Sequence, residues 1–168
     1  MKALIVIDMQ KALFEKKQRI YKEQELLENA NLLIKKAVAA GARVFVVQHC
    51  GNDVLKENTE GWKIHPLVQL PKGHIRILKR HGSCFEDTDL EQHLARNGEK
   101  ALVLCGLVTH GCVRASCLDG LARGYRITLV ADGHSSYSKD AKALIEKWNQ
   151  EISSAGARLQ NARQIRFA

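Results

Sequence analysis

The sequence predicts an α/β protein of three layers, α/β/α, around a largely parallel six-stranded sheet in the strand order 3-2-1-4-5-6. Three observations predict the layers and the parallel sheet; the order is one that such sheets commonly adopt. Strand-like and helix-like stretches alternate along the chain, the pattern of β-α-β units. The strand-like runs are apolar throughout rather than at alternate positions, as strands covered on both faces must be. Several of them end on a chemically useful side chain, and open parallel sheets bind ligands at the carboxyl ends of their strands.

The first strand is Ala3–Ile7, ending at Asp8. Over residues 24–40, Leu26, Leu27, Ala30, Leu33, Ile34, Ala37 and Val38 recur at helical spacing, and Gly41 stops the helix. Val44–Val47 is a second strand, rich in β-branched residues. Residues 48–74 form a long polar connection marked by Gly51, Gly61, Pro66, Pro71 and Gly73. A connection that long usually serves a site. Ile75–Leu78 is the third strand and runs into Lys79. Thr88–Ala95 is a helix capped by Thr88 or Asp87. Ala101–Cys105 is the fourth strand, followed by a helix from Gly111 to Ala122 that Gly124 stops. Arg126–Val130 is the fifth strand. Ser138 caps a helix running through Trp148 to Ser153, and a short last strand falls within Ala157–Ile165.

The 168 residues suit a single domain over 1–168. Apolar residues make up 45% of the chain and no Ser, Gly or Pro tract interrupts it, which argues against disorder. No apolar run reaches membrane-spanning length, and the first one breaks at Asp8, too early for a secretion signal. A cytoplasmic protein without a membrane partner is the expectation. The five cysteines, Cys50, Cys84, Cys105, Cys112 and Cys117, contain no CxxC pair and fit a reducing compartment. The net charge of +8 raises the question of nucleic acid. Residues 11–36 mix both signs, as a solvated helical face does. Only 61–85 and the tail after Glu151 are one-sidedly basic. Neither carries a nucleic-acid motif, so a small-molecule partner is expected.

Three strand ends offer chemistry. Cys112 stands in a strand, glycine-marked turn and helix start, Cys105-Gly106-Leu107-Val108-Thr109-His110-Gly111-Cys112-Val113. A thiol beside a helix N-terminus has its thiolate favoured by unpaired N–H groups and the macrodipole. Asp8 adds a carboxylate and Lys79 an amine. Each has a bland reading too: a helix cap for Asp8, a surface lysine for Lys79, an inert thiol for Cys112. In the 3-2-1-4-5-6 order the first and fourth strands are neighbours, which brings Asp8 to Cys112.

Three motifs in order make the chain resemble the isochorismatase-like cysteine hydrolases, the superfamily of nicotinamidases and N-carbamoylsarcosine amidase. Asp8-Met9-Gln10 is similar to its D-x-Q motif. Lys79, Ser83, Phe85, Thr88 and Leu90 match K-x3-S-x-F-x2-T-x-L. Gly106, Thr109, Cys112 and Val113 match G-x2-T-x2-C-V. The resemblance covers nearly the whole chain. It implies a catalytic Asp8, Lys79 and Cys112, a cis peptide at Leu107–Val108, and an oxyanion hole from the backbone N–H groups of Val108 and Cys112. It also implies a homo-oligomer, which exposed-looking Trp62 and Trp148 support. Nicotinamidases of the superfamily hold a metal through D-x-H-x3-H. That pattern is absent from Gln48-His49-Cys50-Gly51-Asn52-Asp53, so neither metal nor other cofactor is expected. Convergence of His49, Asp53 and His65 is the arrangement that would reverse this.

His49 reads either as a substrate contact or as a satisfied structural histidine. Phe14 and Trp62 read as pocket wall or as core and subunit contact. The function expected is a metal-independent cysteine hydrolase of a small carboxamide or N-carbamoyl substrate, working through a Cys112 thioester. The competitors are a non-enzymatic binding protein on the same fold and a thiol enzyme of another class.

Overall fold

The computed structural model describes all 168 residues. Six strands, β1 (Lys2–Ile7), β2 (Val44–His49), β3 (Ile75–Lys79), β4 (Ala101–Leu107), β5 (Arg126–Ser135) and β6 (Arg158–Gln160), form one sheet. Its order is β3-β2-β1-β4-β5-β6 with every neighbouring pair parallel, as the sequence predicts. The helices are α1 (Lys11–Phe14), α2 (Glu23–Ala39), α3 (Leu90–Arg96), α4 (Arg114–Ala122) and α5 (Ala141–Ser154).

β1 shows why the runs are continuously apolar. Leu4 and Val6 belong to one buried cluster with α1, α2 and the C-terminal residues Ala162, Ile165 and Phe167. Ala3, Ile5 and Ile7 belong to the other, with Leu90 and Leu94 of α3, Cys117 of α4 and Ile152 of α5. Both faces are dry, so both side-chain sets are apolar. α2 ends as its sequence requires: Gly41 turns left-handed at φ 67° and the Ala42 N–H returns to the Ala37 carbonyl. No helix is long and apolar enough to cross a membrane.

Several boundaries differ from the sequence expectation. α3 begins at Leu90 rather than Thr88, because Thr88 Oγ1 accepts from the Leu90 N–H while donating to the Cys84 carbonyl. α4 begins at Arg114, not Gly111. The residues before it, Thr109–Val113, form a wide turn broken by the non-helical backbone of Gly111. β5 runs to Ser135, five residues past Val130, through a shift in its register with β4. Its polar extension survives burial because hydrogen bonds satisfy it: Asp132 accepts at Oδ1 from the Ala162 N–H, and its carbonyl accepts from Asn29 Nδ2. α5 starts at Ala141, three residues beyond the expected Ser138 cap, which instead accepts from the Asp140 N–H.

Candidate active site

β1, β3 and β4 run parallel and so end at the same edge of the sheet, with the turn after β4 beside the end of β1. Asp8 follows β1 with φ 51°, a left-handed conformation that a β-strand residue rarely adopts. Gly106 makes this packing possible. At φ 128° it brings β4 so close to β1 that a Cβ would stand 2.0 Å from the Ile7 carbonyl oxygen. The Leu107–Val108 peptide is cis, as the resemblance implies.

Lys79 is fully buried at the end of β3. Its Nζ lies 3.0 Å from Asp8 Oδ2, 3.0 Å from Cys112 Sγ, 2.9 Å from His49 Nδ1 and 3.1 Å from the His81 carbonyl. Four acceptors thus surround an ammonium with three protons. The second Asp8 oxygen, Oδ1, is buried without a partner. Ligand atoms of Asp8, His49 and Cys112 lie within 4.8 Å of one another, and the Lys79 ammonium bonds all three residues. This trio could hold a metal only at the expense of Lys79. The structure does not gather His49, Asp53 and His65 into one ligand set. The exposed His81, Glu86 and Asp87 form a separate one.

The charges settle each other. Burial raises the Asp8 carboxyl above the ordinary range, against the opposing pull of Lys79. Burial would push Lys79 down, but the Asp8 charge carries it up, so it is an ammonium. Burial and the Lys79 charge push His49 down, so its imidazole is neutral. Burial, then Asp8, raises the Cys112 thiol to about 11, with Lys79 opposing. The expected helix-stabilised thiolate is therefore not the resting state. Cys112 sits in the wide turn before α4, and its proton is still on sulfur at neutral pH.

Phe14 and Trp62 are built into the body of the protein. Phe14 is buried in the α2-side core with its ring 4.5 Å from that of His65. Trp62, expected at the surface, is 6% exposed and donates from Nε1 to Cys50 Sγ. Trp148 packs partly buried against the α3/α4/α5-side core, with Arg114 5.0 Å over its ring.

Gln10 is the residue whose task the sequence hid. Fully buried, it donates from Nε2 to the His49 and Trp62 carbonyls and accepts at Oε1 from the His49 N–H. The third residue of D-x-Q therefore fixes the backbone of His49. A second hidden device lies behind the Cys112 turn. Thr109 Oγ1 lies 2.8 Å from His134 Nδ1, and His134 Nε2 lies 2.7 Å from Asn149 Oδ1. Asn149 Nδ2 donates to the Ala131 carbonyl, which orients the amide and thereby the chain. A cavity of about 190 Å³ opens nearby, lined by Tyr21, Asp132, His134 and Lys142 among others, and holds none of Asp8, Lys79 or Cys112.

The isochorismatase domain family model matches residues 2–153. The chain belongs to the isochorismatase family. Within it, the chain is 35% identical over 135 residues to the uncharacterized isochorismatase family protein YddQ of Bacillus subtilis, covering 77% of this chain and 75% of that one. It is 32% identical over 138 residues to a streptothricin hydrolase of Streptomyces noursei, covering 80% of this chain. This chain spans only 54% of that relative's length. Among solved structures, the N-carbamoylsarcosine amidase of Thermoplasma acidophilum superposes with a TM-score of 0.83 at 23% identity, covering 98% of each chain. That likeness speaks to the fold.

Proposed function

We propose that this member of the isochorismatase family is a metal-independent cysteine hydrolase acting on a small carboxamide or N-carbamoyl compound. The observation that carries the reading is the buried Lys79 ammonium, which bonds both the Asp8 carboxylate and the Cys112 sulfur. A nucleophile, a base and a cation in mutual contact match the needs of acyl transfer. As Sγ attacks the carbonyl carbon, Asp8 accepts the thiol proton and the C–S bond forms. The backbone N–H groups of Val108 and Cys112 receive the oxyanion. Collapse breaks the C–N bond, and Asp8 returns the proton to the departing nitrogen. Its unpartnered Oδ1 is free for that N–H. Water then attacks the thioester, Asp8 takes its proton, and Sγ recovers a proton as the acid leaves. Lys79 holds Asp8 in place and balances charge on sulfur throughout.

Two relatives carry names consistent with this chemistry, a streptothricin hydrolase and an N-carbamoylsarcosine amidase. The test is release of ammonia or amine across a panel of carboxamides and N-carbamoyl compounds, with mass spectrometry of the intact protein for an acyl group on Cys112. An adduct that moves to another residue, or turnover that survives Cys112→Ala, would overturn the assignment.

A further inference from the structure

The turn that carries Cys112 is held from two sides. In front, Lys79 Nζ reaches Cys112 Sγ at 3.0 Å. Behind, Thr109 Oγ1 meets His134 Nδ1 at 2.8 Å, and His134 Nε2 meets Asn149 Oδ1 at 2.7 Å. The proton positions follow from the far end of this chain. Asn149 Nδ2 donates to the Ala131 carbonyl, so Oδ1 faces the ring and accepts from Nε2–H. Burial pushes His134 down, so the ring is neutral and carries one proton. Nδ1 is then a bare acceptor, and the Thr109 hydroxyl donates its single proton to it. The three residues come from three elements: the turn, β5 and α5. His134 arrives beneath the turn through the shifted register of β5, which pairs His134 with Gly106 and Ser135 with Leu107. Thr109 is fully buried and His134 nearly so. An apolar pair would fill the same space with no polar group to desolvate, so the polar pair contributes direction rather than stability. The turn needs direction, because the non-helical Gly111 interrupts its backbone between Thr109 and Cys112.

We propose that His134 is a positioning residue of the site: by accepting from Thr109 it fixes the Cys112 turn from behind and keeps the sulfur in register with Asp8 and Lys79. The purpose of that register rests on the cysteine-hydrolase reading, but the test needs no substrate, so the two can fail separately. The readout is how strongly Cys112 feels Asp8. Iodoacetamide alkylates Sγ with loss of iodide. The other four cysteines are buried, and peptide mass spectrometry isolates the Cys112 rate. At about pH 8 the rate follows the thiolate fraction, about tenfold for each unit of thiol pKa. Asp8→Asn removes a charge that raises the thiol, so it speeds alkylation. The ratio of rates with and without Asp8→Asn, taken within one background, cancels access to the sulfur.

In the wild-type background Asp8→Asn should speed alkylation about tenfold. Thr109→Val keeps the shape but has no proton to give, and His134→Leu has no acceptor. Each should reduce that factor to about threefold or less. Thr109→Ser keeps the hydroxyl, and His134→Asn keeps an acceptor where Nδ1 stood while losing Asn149. Both should retain the factor within about twofold. Urea unfolding separates position from stability. His134→Asn and His134→Leu both leave a member of the chain unpaired, so both should lower the midpoint, but only His134→Leu should lose the coupling. A factor that Thr109→Val and His134→Leu leave within about twofold of wild type overturns the proposal. So does its loss in Thr109→Ser and His134→Asn alike, which would make packing, not the hydrogen bond, responsible. No acceleration in the wild-type background overturns it too, since there is then no register to keep. Should His134→Leu fail to fold, Thr109→Val decides. Nitrogen NMR of the imidazole checks the donor order, and a proton on His134 Nδ1 would overturn it. Coupling that behaves as expected in a protein that hydrolyses no amide would retain His134 and sink the hydrolase reading instead.

Discussion

At Cys112 the surroundings work against a standing thiolate, and that shapes what single substitutions should do. Burial, then Asp8, raises the thiol to about 11, and Lys79 opposes them. Removing the Asp8 charge therefore moves the midpoint of Cys112 alkylation against pH downward, and removing the Lys79 charge moves it upward. Asp8→Asn should lose turnover, because no base remains to return a proton to the leaving nitrogen, while its thiol reacts with iodoacetamide at lower pH than the wild type. Lys79→Met should lose both. An Asp8→Asn midpoint that rises or stays put would show that Asp8 is not electrostatically coupled to the sulfur. Cys112→Ala should cut turnover about a thousandfold or more while circular dichroism stays unchanged. Near-normal activity there would end the nucleophile assignment. Activity should also survive exhaustive chelation, since Lys79 already bonds Asp8, His49 and Cys112. Loss on chelation with recovery on adding zinc or manganese would contradict that. Asp8, Lys79 and Cys112 were legible in the sequence because each ends a strand or begins a turn within a recognisable motif. Gln10 and His134 were not. A buried polar side chain reveals its task only through partners that tertiary structure supplies, 39 residues away for the Gln10–His49 contact.

At the scale of elements, the motif between β3 and α3 holds the Lys79 edge of the site to α4. Ser83 Oγ donates to Asp119 Oδ2 at 2.5 Å, the Cys84 N–H donates to Ser116 Oγ, and Thr88 closes the turn on the Cys84 carbonyl. The residues of K-x3-S-x-F-x2-T-x-L after Lys79 are thus joinery. The β1–β4 seam has a single point of contact that no side chain can enter. Gly106→Ala would place a Cβ against the Ile7 carbonyl at a φ of 128°. Strain and clash together should cost about 3 kcal/mol or more. Urea unfolding monitored by circular dichroism would read this as a lower midpoint at unchanged slope. A loss under about 1 kcal/mol would mean that β4 can slide away from β1 without penalty. Strand and helix existence followed from hydrophobic pattern. The short α1, the wide turn before α4 and the second half of β5 did not, because close packing and side-chain hydrogen bonds define them rather than periodicity.

For the whole molecule, a β-α-β chain has few ways to wind, so the observed strand order was one of a few that the pattern allowed, and the switch between β1 and β4 places the candidate site. Association was not legible in the same way. Trp62, one of the two residues that pointed to it, is inside the protein. A different set of apolar residues is exposed: Val54, Leu67 and Leu70 in the connection after β2, and Leu78 on the edge strand β3. β3 has one free hydrogen-bonding edge, and an exposed edge beside apolar side chains is the kind of surface that proteins cover. The expectation is a homo-oligomer, at least a dimer, that buries this side of the sheet. Light scattering at micromolar concentration should give at least twice the 18.8 kDa chain mass. Leu78→Lys, which adds charge to that edge without touching either core, should shift the equilibrium toward monomer. A wild type at 18.8 kDa would refute the oligomer. An oligomer that Leu78→Lys leaves intact would move the interface away from β3.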